Sequence, residues 1–316
     1  MKSTITKNLF WEIIDCPRVM SASGQCSSII SLQNSCNFQV PEPWNGDIEN
    51  AKILILGLNP ALDIAELFPS YDLCSGAWNV MCAKGYKWTD PVVEKFFENR
   101  YSEGCPQCGL QYAVVDADVN ANIVKILSKS CVYKTAKNPF WKTVIAYASA
   151  VTKSSCAIND LVFSDCIHCK SSNGAGCGIS VKNICMKKYF QRVMSVFITS
   201  GATDSLFSSA GVHKPTGHSS NQGKTILLVG KKSSKVLPML SSGLTLISKT
   251  HIGNYNKSNI PVQITEYVFS IGGYNIKIVD GLPLPSGANR RCRNVVINNI
   301  KIPNWYSFTM GFETFL

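Results

Sequence analysis

The run Ala51-Lys52-Ile53-Leu54-Ile55-Leu56, closed by Gly57, constrains the fold of this chain more than any other stretch. It is short, apolar and without polar alternation. Such a run reads as a strand covered on both faces, the condition of a strand inside a parallel sheet. Thr225-Ile226-Leu227-Leu228-Val229, closed by Gly230, has the same character. Leu161–Cys166 and Tyr274–Val279 are two further strand candidates. Asn138 can cap a helix that opens at Pro139-Phe140-Trp141 and runs to about Thr152, since proline is tolerated at the first helical position. Val181–Met194 reads as a second helix, Ser195–Thr199 as a short strand, and another helix runs through Leu237. Strands alternating with helices give an α/β fold, with a mostly parallel central sheet flanked by helices. Residues 1–44 read as an irregular N-terminal extension and residues 45–300 as the main domain. That domain carries a Cys- and Gly-rich insertion at about 71–112, and residues 301–316 form a tail.

Composition narrows the partners. Lys and Arg number 31 against 20 Asp and Glu, a net charge of +11. Such a surplus suits a polyanion, because neutralised phosphates release counterions. No N-terminal signal pattern is present, and no run approaches the ~20 apolar residues of a membrane-spanning helix. The 14 cysteines are scattered, so they read as thiols or metal ligands in a reducing cytoplasm. The expectation is a cytoplasmic monomer with no membrane contact. Gly223-Lys224-Thr225 ends like a phosphate loop, but Gly217 lies one residue too far upstream and the triplet precedes a strand. No nucleotide cofactor is expected. His168, His213, His218 and His251 stand in no triad or zinc-protease pattern.

Two loops at strand ends carry chemistry. Gly57-Leu58-Asn59-Pro60-Ala61 sets an amide directly after a buried strand, between Gly57 and Pro60. An amide is no strong base, but it can hold a water by hydrogen bonds and aim it at an electrophile. As an isolated pattern the loop also reads as an ordinary turn. Pro283-Leu284-Pro285-Ser286-Gly287 is stiffened by two prolines and followed by Asn289, Arg290, Arg291 and Arg293. A rigid loop with small donors and cations at its base can grip phosphates and push into a base stack, or can be a solvated basic turn.

Together, the two loops resemble motifs 1 and 2 of the uracil-DNA glycosylase superfamily, over roughly residues 45–300. Gly57-Leu58-Asn59-Pro60-Ala61 is similar to the superfamily's G-x-N-P-G loop, and Leu284-Pro285-Ser286-Gly287 to its H-P-S or N-P-S loop. The resemblance implies a three-layer α/β sandwich and hydrolysis of an N-glycosidic bond after base flipping. It implies that Asn59 positions the attacking water and that Gly57, Leu58 and Pro60 shape the pocket. Phe68 would stack on the flipped base, and Ser286 would contact the substrate strand. Pro285, Gly287, Asn289, Arg290 and Arg291 would hold DNA. Phe140-Trp141 resembles an aromatic pair that opens a helix in the same branch.

Two departures redirect the substrate. Leu284 stands where most members carry His or Asn, so the usual motif 2 hydrogen bond to the base is missing. Ser164-Asp165-Cys166-Ile167-His168-Cys169 matches a base-reading strand of the form T-N-x-V-K-C, with Asp165 in place of Asn. A carboxylate only accepts, and cytosine offers an N4 amine where uracil offers O4. Asp165 therefore points to a cytosine-type base. Because removal of normal cytosine would be toxic, the implied target is a modified cytosine, as for anti-phage glycosylases that remove glucosylated hydroxymethylcytosine. The alternatives are repair of uracil or deaminated bases, and a catalytically silent DNA-binding protein.

Metal is also expected. Cys105-Pro106-Gln107-Cys108 is a Cys-x2-Cys knuckle, and Cys169 is followed by Cys185 with fifteen residues between. Four thiolates suit tetrahedral zinc. The iron–sulfur branch of the superfamily implies a 4Fe–4S cluster instead, with its Cys-x2-Cys pair before motif 1, whereas here the pair follows it. Cys166 and His168 are nearby substitutes. Either metal would be structural, because four protein ligands leave no open position.

Overall fold

A computed structural model of the chain describes residues 2–20, 26, 38–58, 60, 68–71, 80–82, 90–99, 139–170, 185–200, 223–230, 236–271, 274–285 and 292–303. Helix α1, Thr4–Ile14, opens on Ser3, whose hydroxyl accepts from the Thr6 amide. It is followed by the short α2, Pro17–Met20. Leu9, Phe10, Ile13 and Ile14 of α1 are buried in the main core. Within the stretch expected to be irregular, residues 4–14 are therefore a helix that turns one apolar stripe into the core.

Strand β1 is Phe38–Gln39, β2 is Ile53–Gly57, β3 is Pro69–Tyr71 and β4 is Val80–Cys82. Helices α3, Asp90–Asn99, and α4, Pro139–Thr152, come next. A 3-10 turn at Ile158–Asp160 leads into β5, Leu161–Asp165. A π-helical turn, Met186–Phe190, runs into α5, Gln191–Thr199. Residues 195–199 are thus helical, not the expected strand: Val193, Met194 and Phe197 share a buried helical face. Strand β6 is Thr225–Val229, and the short α6 is Leu237–Leu240. Five strands close the chain: β7, Thr245–Lys257; β8, Ile260–Ile271; β9, Tyr274–Leu282; β10, Cys292–Ile297; β11, Ile300–Lys301.

Strands β1, β3 and β4 form a small antiparallel sheet. The other eight strands form one sheet in the order β11-β10-β7-β8-β9-β6-β2-β5. The pairings β9/β6, β6/β2 and β2/β5 are parallel, whereas β8/β9, β7/β8, β10/β7 and β10/β11 are antiparallel. The mixed α/β class holds, but a mostly parallel sheet does not. The antiparallel part is built from β7 onward, where β7/β8, β8/β9 and β10/β11 pair consecutive strands, which needs only tight turns where parallel pairing needs a crossover.

The parallel half has cores on both faces. Leu54 and Leu56 of β2 and Ile226 and Leu228 of β6 join the core that holds α1, α3 and α5. Ile53 and Ile55 of β2 and Leu227 and Val229 of β6 join the core under α4. Period-two side-chain direction divides each apolar run between the two faces, so every residue of β2 and β6 is buried. Among the described residues no helix is long and apolar enough to cross a membrane.

Candidate active site at the carboxyl edge of the parallel strands

In chain order the parallel strands are β2, β5, β6 and β9, but β5 lies on one side of β2 and β6 on the other. The order reverses beside β2, which makes the carboxyl ends of β2 and β6 a topological switch point. Crevices at such points are where open α/β sheets bind ligands.

Gly57 ends β2 opposite Asp165, the last residue of β5. A side chain on Gly57 would overlap Asp165 Oδ1 and crowd Phe163. The carboxylate thus rests on the bare backbone of the first loop, and Gly57 is the residue that lets it do so. Asp165 is 3% exposed. The strand pairing continues past it: the Cys166 amide and thiol both donate to the Gly57 carbonyl at 3.2 Å. The Ile167 amide donates to the Leu58 carbonyl at 2.9 Å. Leu58 is half-buried and Pro60 buried, so the loop on either side of Asn59 is anchored.

The second loop arrives at the same edge. The Gly230 amide donates to the Leu282 carbonyl at 2.8 Å. Gly230 has φ +89°, and a side chain on it would touch Leu284. The β6/β9 pairing shifts register between Leu227 and Val229. Across that bulge Gly281 takes φ +88° and donates to Asp280 Oδ1 at 2.7 Å. Pro283-Leu284-Pro285 follow directly after β9. Pro283 and Pro285 are buried and Leu284 is 36% exposed between them. Asn59, Ser286, Gly287, Asn289, Arg290 and Arg291 lie outside the described residues, as do Cys105, Cys108, His213 and His218.

Phe68 is enclosed. It is 0% exposed, with Phe96 and Phe97 of α3 in edge contact and the Lys170 ammonium 3.4 Å from the ring centre. Stacking of a base on this ring therefore requires that a neighbour withdraw. The segment 40–45 runs beside β5 and its continuation. Asn45 exchanges backbone bonds with Phe163, Ser164 Oγ donates to the Pro43 carbonyl, and the Glu42 amide donates to the His168 carbonyl. His168 Nδ1 lies 2.8 Å from the Glu42 carbonyl and must donate to it. Its Nε2 then carries the lone pair, buried and without a hydrogen-bond partner. Burial holds the imidazole down at about 4, so it is neutral at physiological pH.

Cys169 and Cys185 are buried, and so are Cys16 and Cys26 from the N-terminal segment, all within one core. Burial and the neighbouring Cys16 push the Cys26 thiol up. Tyr189 is pushed above its ordinary range by burial and by the nearby Cys16 and Cys185 thiols. Cys16 and Cys185 thus lie close to Tyr189, and Cys26 lies close to Cys16. Nine residues separate Cys16 from Cys26, so the sequence holds no knuckle there. Among the described residues no three of His, Cys, Asp and Glu stand close enough to grip a single ion.

No model of a known protein family matches this chain, and no curated protein matches it either.

Proposed function

We propose that the chain is a monofunctional DNA glycosylase with the three-layer fold of the uracil-DNA glycosylase superfamily, acting on a modified cytosine in DNA. The observation that carries this reading is the convergence of the Gly57 loop, Asp165 and the Pro283–Pro285 loop on one carboxyl edge, with the Asp165 carboxylate lying on Gly57.

In the proposed reaction the target nucleotide leaves the stack, at a cost of about a few kcal/mol. Asp165 accepts a hydrogen bond from the exocyclic amine of a cytosine-type base. Leu284, apolar and partly exposed, lines the rim without a hydrogen bond to offer. As the C1′–N bond lengthens, its electron pair passes to the base and the sugar becomes cationic. Asn59 holds the water that adds to C1′. Ser286, Gly287 and Asn289 contact the backbone, and Arg290 and Arg291 offset its charge. No lysine nucleophile enters, so the product is an abasic site.

A structural metal held by Cys105, Cys108, Cys169 and Cys185, zinc or a 4Fe–4S cluster, belongs to the same reading, since four thiolates suit either. Cys169 and Cys185 are both buried in one core. Zinc, iron and sulfide analysis of purified protein, with Cys105→Ser and Cys108→Ser alongside, checks this: loss of metal in both is expected, and full loading of both contradicts the ligand set.

Substrate choice is tested through Asp165. An ionised carboxylate only accepts, so Asp165 suits a base edge that presents an amine donor and disfavours one that presents a carbonyl oxygen. Asp165→Asn should gain uracil release and lose preference for the cytosine derivative, by up to about 10⁴-fold. Single-turnover release from oligonucleotides carrying uracil, hydroxymethylcytosine or its glucosylated form measures this. An unchanged ranking removes Asp165 from base reading.

A further inference from the structure

The Lys170 ammonium sits over the face of Phe68, 3.4 Å from the ring centre, and 3.8 Å from Glu42 Oε2. The two charged side chains are 1% and 5% exposed. Lysine is almost never buried so fully unless paired, because the ammonium gives up its hydration. Here the ion pair and the ring face compensate together, and a desolvated cation over an aromatic face is stabilised more than an exposed one. Glu42 is itself fixed: its other carboxylate oxygen accepts from Asn45 Nδ2, and its backbone is bonded in both directions to His168.

Two rings against Phe68, those of Phe96 and Phe97, belong to a core helix and cannot leave without opening the core. Lys170 is different. Its head group is at the end of four methylenes, and it can leave the ring with the backbone in place.

We infer that Lys170 is a plug in the base pocket: in the free protein its ammonium holds the face of Phe68, anchored by Glu42, and a flipped base takes that face by displacing it. The inference rests on the glycosylase reading above. It makes Lys170 a specificity-determining residue, since a base that stacks poorly on Phe68 does not repay the lost ion–ring contact. Only the fraction of molecules with the plug withdrawn is competent to bind, and the apparent affinity falls by that fraction.

Nuclear magnetic resonance of the whole protein, with lysine methylenes isotopically labelled, tests the plug. The ring current of Phe68 should move one lysine ε-methylene signal strongly upfield, and that signal should vanish in Lys170→Arg and Lys170→Met. Duplex DNA carrying a non-cleavable 2′-fluoro analogue of the substrate nucleotide should return the signal to the ordinary lysine position. Unmodified duplex should leave it upfield. In addition, Lys170→Met should bind the analogue duplex about tenfold more tightly than wild type, with affinity for unmodified duplex unchanged. A purely structural lysine would lower stability and leave that ratio alone. If base release from cleavable substrate is normal but the signal stays upfield with analogue bound, the plug is overturned and the glycosylase reading stands. If no shifted signal exists in the free protein, the plug is overturned directly. If no base is released from any DNA, the reading fails and the plug with it.

Discussion

The two halves of the eight-stranded sheet obey different rules. In the parallel half, β2 and β6 are buried at every residue, with a core on each face. In the antiparallel half, β7 exposes its first seven residues and buries only Gly253 and Tyr255. The register of β7 against β8 breaks twice, between Leu246 and Ser248 and between His251 and Gly253. Bulges of this kind twist an edge away from unwanted pairing. The comparison teaches where precision resides. A strand gripped on both faces holds its terminal residue in a fixed place, as β2 holds Gly57 against the Asp165 that ends β5. An exposed hairpin can widen and brace the sheet, and it tolerates slips in register.

One pair of glycine substitutions separates the halves. In Gly57→Ala the new methyl overlaps Asp165 Oδ1, the tip of a side chain that can swing aside. The fold should survive, the carboxylate should be displaced, and single-turnover base release should fall by about 10²-fold, the scale of a 1 Å misplacement. In Gly253→Ala the methyl overlaps the Val296 carbonyl oxygen, which is backbone. There β10 must shift against β7, at a cost of about 1–3 kcal/mol, while release per folded molecule stays at the wild-type rate. Denaturant melts and single-turnover assays on both variants make the comparison. If Gly253→Ala loses activity without losing stability, the halves are not separable in this way.

A smaller effect comes from His168, which joins β5's continuation to the segment 40–45. Its folded value is about 4 against an ordinary 6.5, the shift being caused by burial. Between those values the unfolded chain binds the extra proton and the folded chain does not, so stability rises with pH across that window. The contribution is complete above pH 6.5 and is lost as pH falls toward 4, amounting to about 3 kcal/mol. Denaturation at steps from pH 7 to 4 should show this slope in wild type and lack it in His168→Asn. Equal slopes would assign the titration to another group.

The sequence was legible where burial was uniform. The apolar runs of β2 and β6 announced themselves, and Pro139 to Thr152 is helical within the expected bounds. The class of fold and the strand-end position of Gly57 followed from those runs, while the strand read at Leu161–Cys166 ends one residue earlier, at Asp165. The antiparallel strands did not declare themselves, because Thr245–Lys257 is solvated on both faces for half its length and so has no alternation to read. Helix α1 was readable in principle from Leu9, Phe10, Ile13 and Ile14, but the polar, Ser-rich stretch after it masked the pattern. Contacts between distant segments had no local trace. His168 and Glu42 are 126 residues apart, and nothing near either one indicates the other. The gathering of Cys16 and Cys26 with Cys185 is of the same kind.

The central claim is that this carboxyl edge cuts a base from DNA, and it is tested most directly by base release itself. Wild type and Asn59→Ala would be incubated in excess over duplexes carrying uracil, hydroxymethylcytosine or glucosylated hydroxymethylcytosine, with abasic sites revealed by alkali. In the proposed reaction Asn59 holds the attacking water, so its loss would weaken the transition state more than the bound ground state. The account predicts abasic sites from a modified cytosine with wild type, and release slower by about 10²-fold or more in Asn59→Ala at unchanged DNA affinity. Intact bases in every duplex with wild type, or equal rates for the two proteins, would contradict it.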